Sequence, residues 1–520
     1  MTISHSLAGT GLSLILAASQ TQAPKPPAPR LWTDVTAETI GDTAQWTNKV
    51  EIADINGDGR PDLLFANGGK YSEAGEPEPN LAFVNNGPGR RFDNRTEAVF
   101  GSTPDLARVI KARDLSGDGI VDIVVGTTFQ TQSRLYLGTG GGAFREATAA
   151  HLPAMPLSVG DLEPGDADGD GDLDLVLADW GPGNNMTNAG GRTRLWLNDG
   201  TGHFTDATDE RMPATLIRFS WDLEFVDVDN DADLDLAVSC KRCGGGSLFK
   251  NDGAGKFTED PRGLPPYTNN YEYEPMDLDG DGFLDLVTLN DGEILREDSS
   301  DRREHVLRND GKGRFKDATA AWWTDAANVG EDDNMVAFLD YDSDGDADFV
   351  IGSLSGPDRL LTNDGKGRLS LARDVFDGPD TPGTLGLALA DLDGDGRMDA
   401  VQAQGEHPTA VQERVYFGRG LAKDTSPPSI TMVSISPPKA AGPGPTVRAR
   451  VHDGKSPSLA TEWRSVTVEW TEGGRELSAP MRWYGEYLWR ADLPPAIPPA
   501  AKVRVCAADA AGNRACRPQP

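Results

Sequence analysis

One acidic phrase of nine residues occurs seven times in this chain, clearest at Asp391-Leu-Asp393-Gly-Asp395-Gly396-Arg-Met-Asp399. The other copies place Asp54, Asn56, Asp58 and Asp62; Asp114, Ser116, Asp118 and Asp122; Asp166, Asp168, Asp170 and Asp174; Asp227, Asp229, Asp231 and Asp235; Asp277, Asp279, Asp281 and Asp285; and Asp340, Asp342, Asp344 and Asp348 at the same four positions. Positions 1, 3, 5 and 9 thus carry oxygen side chains. Position 6 is Gly except in the fourth copy, where it is Ala232. This spacing suits a hard divalent cation. Calcium takes roughly 6–8 oxygen ligands at about 2.3–2.6 Å, and a tight loop supplies them from alternate side chains plus a backbone carbonyl, here that of position 7. Gly at position 6 permits the positive φ that folds such a loop. An EF-hand is excluded, because no Glu stands at position 12 and the following residues read as a strand. A single copy would read equally well as an acidic surface turn. Seven in register would repel one another without a counter-ion. The expected cofactor is Ca2+, at up to seven sites.

The loops need a scaffold that repeats with them. They recur every 50–63 residues, long and short units alternating, which is the period of a propeller or solenoid. In each unit an apolar stretch enters the loop (Val336–Leu339) and a buried-looking strand leaves it (Leu173–Ala178). A third strand and a tight turn follow (Leu195–Gly202), then a fourth strand (His203–Thr208). Asn-Asp-Gly and Gly-x-Gly between apolar runs are hairpin signals, and four antiparallel strands make a propeller blade. The last unit lacks its fourth strand. Leu31-Trp32-Thr-Asp-Val-Thr36 matches Phe204–Thr208 and Phe315–Thr319, so residues 31–37 are expected to complete the seventh blade and remove two exposed edges.

These units resemble FG-GAP/VCBS repeats, the blade type of the integrin alpha-subunit propeller and of many bacterial exported proteins. The resemblance covers about residues 31–420. It implies an all-β fold: a seven-bladed ring with calcium in the hairpins between first and second strands, on one face. Ala232 departs from the pattern, as do the turns Leu137–Gly140 and Phe417–Gly420, which lack the Asn-Asp pair.

The opposite face carries the second-to-third and fourth-to-first loops. The former are long in units one (Gly68–Asn80), three (Asp179–Thr193) and five (Asn290–His305). Loops on a rigid scaffold are where binding concentrates. Trp46, Arg108, Trp180, Trp221, Tyr271 and Asn334 approach this face and are the candidate ligand contacts; the bland alternative is strand-end packing.

Residues 423–428 read as a linker, and 429–520 as a small immunoglobulin- or fibronectin-like β-sandwich with strands at 429–435, 446–452, 465–470, 481–484, 487–491 and 502–507. Residues 1–23 read as a signal peptide, with an apolar run from Leu7 to Ala18, and 24–30 as a Pro-rich linker. The four cysteines form two close pairs, Cys240/Cys243 and Cys506/Cys516. Two disulfides in an exported protein are expected, with a shared zinc site as the alternative. Export places the chain outside the cell, at its surface or in the periplasm.

The formal net charge of −33 over 520 residues opposes binding to nucleic acid or anionic lipid. No stretch beyond the leader is long and apolar enough for a membrane helix. The six His show no metal-ligand spacing, and neither a G-x-S-x-G elbow nor a phosphate loop occurs. A glycan lyase would need a base such as Lys111, Arg218 or Lys241. The sequence therefore points to a calcium-stabilised adhesion or recognition module for an extracellular protein or glycan. A lectin or a polysaccharide lyase on the same ring are the alternatives.

Overall fold

A computed structural model describes residues 30–519, apart from 71, 185, 268, 291–303, 379–382, 407–409, 438–443 and 499–500. The expected signal peptide, all but Arg30 of the Pro-rich linker and most of the long fifth-unit loop lie outside the described residues. Among the described residues the strands form nine four-stranded antiparallel sheets. Six of these take four consecutive strands; the third, for example, comprises Val159–Gly165, Asp174–Asp179, Thr193–Asn198 and Phe204–Asp206. A seventh joins Thr384–Ala390, Asp399–Gln404 and Arg414–Phe417 to Thr33–Asp34, with Thr33 opposite Phe417 and Asp34 opposite Tyr416.

In these seven sheets each first strand contacts the first strand of the next sheet, and Thr384–Ala390 returns to contact Thr47–Ala53. The repeated sheets are therefore arranged as in a propeller. The second strands are buried along their whole length, as in Asp62–Asn67, Asp122–Thr127 and Asp348–Ser353. A neighbouring sheet covers both of their faces, which is why they read as unbroken apolar runs and not as alternating ones. Six of the first strands carry a β-bulge near their start, at residues such as Arg108, Tyr271 and Asn334.

The remaining two sheets pack face to face after Ser429. One orders Ser429–Ser436, Thr446–His452, Leu488–Asp492 and Arg482–Gly485; the other orders Arg475–Pro480, Trp463–Glu472, Val503–Asp509 and Arg514–Pro518. Val447, Val468 and Val505 sit in their shared core. Arg475–Pro480 and Arg514–Pro518 add to the strands expected from sequence; both are largely exposed and lack alternation. The segment before these sheets is held rather than free. Asp424 N donates to Gly396 O (2.9 Å), and Thr425 N to Ser343 Oγ (2.8 Å). Cys240–Cys243 and Cys506–Cys516 lie at disulfide distance, S–S 2.03 and 2.07 Å. No helix among the described residues is long and apolar enough to cross a membrane.

Candidate metal centres and the channel they surround

Six of the seven acidic loops fold by one rule. The carboxylate at position 1 accepts the backbone N–H groups of positions 5 and 6: Asp54 from Asp58 and Gly59 (3.0 and 2.7 Å), Asp391 from Asp395 and Gly396 (3.0 and 2.8 Å). Asp114, Asp227, Asp277 and Asp340 do the same. Position 6 takes a positive φ throughout, including Ala232 at 70°. So does position 4, which sequence reasoning passed over: Gly57, Gly117, Gly169, Asn230, Gly280, Ser343 and Gly394 all occupy the left-handed region. Gly in five copies and Asn or Ser in the other two was the available signal.

This geometry turns side-chain oxygens toward one another. Carboxylate oxygens fall within 4.8 Å of one another in the sets Asp166/Asp168/Asp174, Asp227/Asp229/Asp231, Asp277/Asp279/Asp285 and Asp340/Asp342/Asp344. Buried Oδ1 atoms of Asp166, Asp168, Asp229 and Asp395 have no hydrogen-bond donor among the described residues. An ionised acceptor removed from water without a partner is costly, and a cation would supply what is missing. The donor set is all oxygen, which suits calcium or magnesium rather than a soft metal. Basic side chains lean on several loops as well: Arg308 on Asp279 and Asp281 (2.7 and 2.9 Å), Lys250 on Asp229 (2.8 Å), Arg397 on Asp395 (2.7 Å).

Position 9 has a second task that the spacing does not reveal. In every unit its carboxylate accepts the N–H of position 2 through Oδ2 and, through Oδ1, an N–H in the third strand or just past its end. Asp174 bonds Ala167 (3.0 Å) and Asn198 (2.9 Å); Asp399 bonds Leu392 and Gly418 (both 2.8 Å). Asp62, Asp122, Asp235, Asp285 and Asp348 repeat the clamp. Burial pushes Asp62 up to about 7, and Asp174, Asp285, Asp348 and Asp399 to about 8, against the pull of these N–H groups.

The third loop is the exception. Asp166 receives Arg490 Nη1 at Oδ2 (2.5 Å) and donates its own N–H to Tyr484 O (2.7 Å). Arg450 reaches the fourth loop likewise, Nη2 to Asp227 Oδ2 and to Asp227 O (both 3.0 Å). Tyr484 Oη donates to Ala232 O (2.8 Å), and Tyr487 Oη to Pro275 O (3.0 Å). The C-terminal sheets thus sit on the loop face of the ring, with guanidinium groups on carboxylates that a cation would also claim.

They also close the central channel. A cavity of about 80 Å³ lies between Ser456, Leu459, Glu486 and Tyr487 on one side and the first strands on the other. Its wall is charged: Lys111 pairs with Glu163, Arg113 with Glu51 (2.6 Å), and Lys49 lies 3.9 and 3.7 Å from Asp161 and Asp222. Carboxylates outnumber cations here. Burial, then repulsion by Asp161, pushes Asp222 well up; burial, then repulsion by Glu163, does the same to Glu224.

At the opposite mouth the six expected ligand contacts are mostly packed. Trp180, Trp221, Tyr271, Arg108 and Asn334 are all buried, and only Trp46 is half-exposed, beneath Lys70 (4.9 Å). At Arg108, Tyr271 and Asn334 a β-bulge re-aims the side chain, while Trp180 and Trp221 are buried beyond the strand ends without one. Asn334 Nδ2 donates to Leu385 O (3.0 Å), and Arg108 Nη1 to Asn48 Oδ1 (2.6 Å). Arg108 and Lys241 stack over Trp221, Lys241 also over Tyr271, and Trp180 packs on Phe219 and Trp221. Strand-end packing, the alternative reading of these residues, describes five of the six. The basic residues a lyase would need are engaged too, with Lys111 on Glu163, Arg218 Nε on Asn188 O (3.2 Å) and Lys241 on the rings.

Three stretches, 114–177, 186–238 and 340–401, match the FG-GAP-like repeat. No curated protein matches the chain. Among solved structures, an Agrocybe aegerita lectin described as recognising non-reducing terminal N-acetylglucosamine is 19% identical, covering 63% of this chain and 79% of its own, TM-score 0.39. An exotype rhamnogalacturonan lyase is 14% identical over 92% of this chain and 83% of its own, TM-score 0.31. The GH74 enzyme of Niastella koreensis is 10% identical over 81% and 59%, TM-score 0.39.

Proposed function

We propose that this chain is an exported, calcium-stabilised recognition module. It is a seven-bladed propeller over residues 31–422 and an immunoglobulin-like sandwich over 429–520, joined by 423–428. The cycle of seven first strands and the repeated loop geometry support the ring. The sandwich strands, lettered in chain order with C′ after C, fall as A-B-E-D and C′-C-F-G, an immunoglobulin arrangement. Two cysteine pairs at disulfide distance favour an oxidising compartment.

The observation that carries the binding role is the rim opposite the calcium loops. There the third unit's long loop reaches over the second sheet to the first unit's, Asn184 Nδ2 donating to Ser72 O (2.9 Å). Met186 on that loop is 67% exposed and Leu216 on the neighbouring one 60%, apolar side chains left in water. Such a pair favours an extracellular protein over a sugar. Purified protein in millimolar calcium should bind a panel of cell-surface and matrix proteins more strongly than a glycan array. The Met186→Asp/Leu216→Asp variant should lose that binding with an unchanged melt. Binding that survives in the variant would remove the rim from the reading, and cleavage of a glycan would replace recognition with catalysis.

A further inference from the structure

Outside the seven loops, acidic side chains meet again where the two modules join. A cavity of about 520 Å³ is lined by Asp424 from the connecting segment and by Asp453, Glu462 and Asp509 from the sandwich, beside the seventh loop. A narrower recess between Asp340, Asp424 and Asp453 continues from it. The three basic side chains that line the cavity are already engaged, Arg60 with Asp58 of the first loop. Lys455 Nζ pairs with Glu462 (2.7 Å) and donates to Pro457 O (2.6 Å), while Lys423 Nζ donates to Asp395 O (2.6 Å). Asp424, Asp453 and Asp509 are left without a matching cation among the described residues.

Asp509 is the informative member. It is 1% exposed, its Oδ1 accepts the N–H groups of Gly512 (2.6 Å) and Asn513 (2.9 Å), and its Oδ2 has no donor among the described residues. A buried carboxylate held by its own loop on one oxygen has only the other to give to the cavity that it lines. Asn513 also donates from Nδ2 to Asp424 Oδ1 (3.3 Å), which ties the connecting segment to the Asp509 turn. Among the described residues Asp453 accepts no hydrogen bond. With Asp424 it lines both the cavity and the narrower recess, and Asp509 lines the cavity beside them. Three ionised groups in a partly dry cavity either take up protons or take up a cation.

We propose that this junction binds one further hard divalent cation, calcium in the medium where the loops would load, held by Asp424, Asp453 and Asp509 and so shared between the ring and the sandwich. Three carboxylates plus water and backbone oxygens reach the coordination number that calcium requires. The ion would fix the sandwich on the loop face from the side opposite Arg450 and Arg490.

The test counts ions on the full chain. Native mass spectrometry from calcium acetate should show the Asp453→Asn and Asp509→Asn variants each one ion short of wild type, with Ser426→Ala unchanged as a junction control. An unchanged count in both Asn variants overturns the proposal. As a check independent of mutant folding, anomalous scattering from calcium-soaked wild-type crystals should place a peak beside Asp509 Oδ2. Peaks in the loops without one there overturn the shared ion alone, and a junction peak with empty loops overturns only the loop assignment.

Discussion

Asn251 donates from Nδ2 to the backbone carbonyl of Ala167, 2.7 Å away and 84 residues earlier in the chain. Ala167 is position 2 of the third acidic loop, and Asn251 heads the third-strand turn of the next unit. The same bond joins Asn85 to Leu392, Asn198 to Leu115, Asn309 to Val228 and Asn363 to Leu278, at 2.7–2.9 Å. Each Asn therefore staples its sheet to the preceding loop, while the position-9 carboxylate receives that Asn's own N–H. Acidic loop, hairpin turn and neighbouring sheet form one hydrogen-bonded unit around the ring.

Asn251→Ala should cost about 1–3 kcal/mol, because the carbonyls of Ala167 and Leu234 are left buried without a donor. Thermal melts of Asn251→Ala and Asn198→Ala should show similar losses. Grafting the staple where it is missing should fail: a Cβ at Gly138 would lie 2.3 Å from Val121 O, and at Gly418 2.1 Å from Met398 O. Gly138→Asn that melts above wild type would show that those backbones can part.

Much of this could be read from the chain. The alternate Asp spacing marks the loops, and Trp32-Thr-Asp-Val-Thr36, the counterpart of Phe-x-Asp-x-Thr in other units, marks the strand whose Thr33 lies opposite Phe417. Three stretches of the repeat match independently of the geometry. What stayed hidden are contacts with no local signature. A bulge at Arg108 or Tyr271 looks like ordinary strand, so side chains expected in solvent at the mouth fold onto neighbouring sheets. Arg450 and Arg490 sit in alternating strands, and nothing nearby in sequence says that they end on Asp227 and Asp166. Exposed strands such as Arg475–Pro480 lack the period that burial imposes.

Removing calcium should destabilise the whole ring. At about ten times the dissociation constant each site contributes roughly 1.4 kcal/mol, so seven amount to about 10, comparable to the stability of a domain. A chelator should lower the melting temperature by many degrees and millimolar calcium should restore it. A shift within error would sink the cation assignment for the loops.

The metal-free protein should be more stable in mild acid than in base. Burial lifts Asp174, Asp285, Asp348 and Asp399 from ordinary carboxylate values to about 8. A carboxyl whose folded value is raised contributes stability that is fully present below its unfolded value, near pH 4, and is lost as pH rises through 8. Calcium binds the ionised form, so its stabilisation should grow over that range. Melts from pH 5 to 9 with chelator and with calcium should diverge; parallel curves would show that these groups do not titrate with folding.

Arg450 and Asp227 are both fully buried, and Arg450 holds the carboxylate that begins the fourth loop. Taking away one partner of such a pair costs about 3–5 kcal/mol, because the other charge stays behind unpaired. A cation in the loop would lessen that cost by holding Asp227 itself. Arg450→Ala should therefore destabilise more in chelator than in saturating calcium, and Asp227→Asn combined with it should recover part of the loss in chelator. Arg490→Ala should act likewise through Asp166 and, by freeing the third loop, raise its calcium affinity in a titration. Equal losses with and without calcium would mean that guanidinium and ion do not compete for one carboxylate, and that the sandwich docks independently of metal.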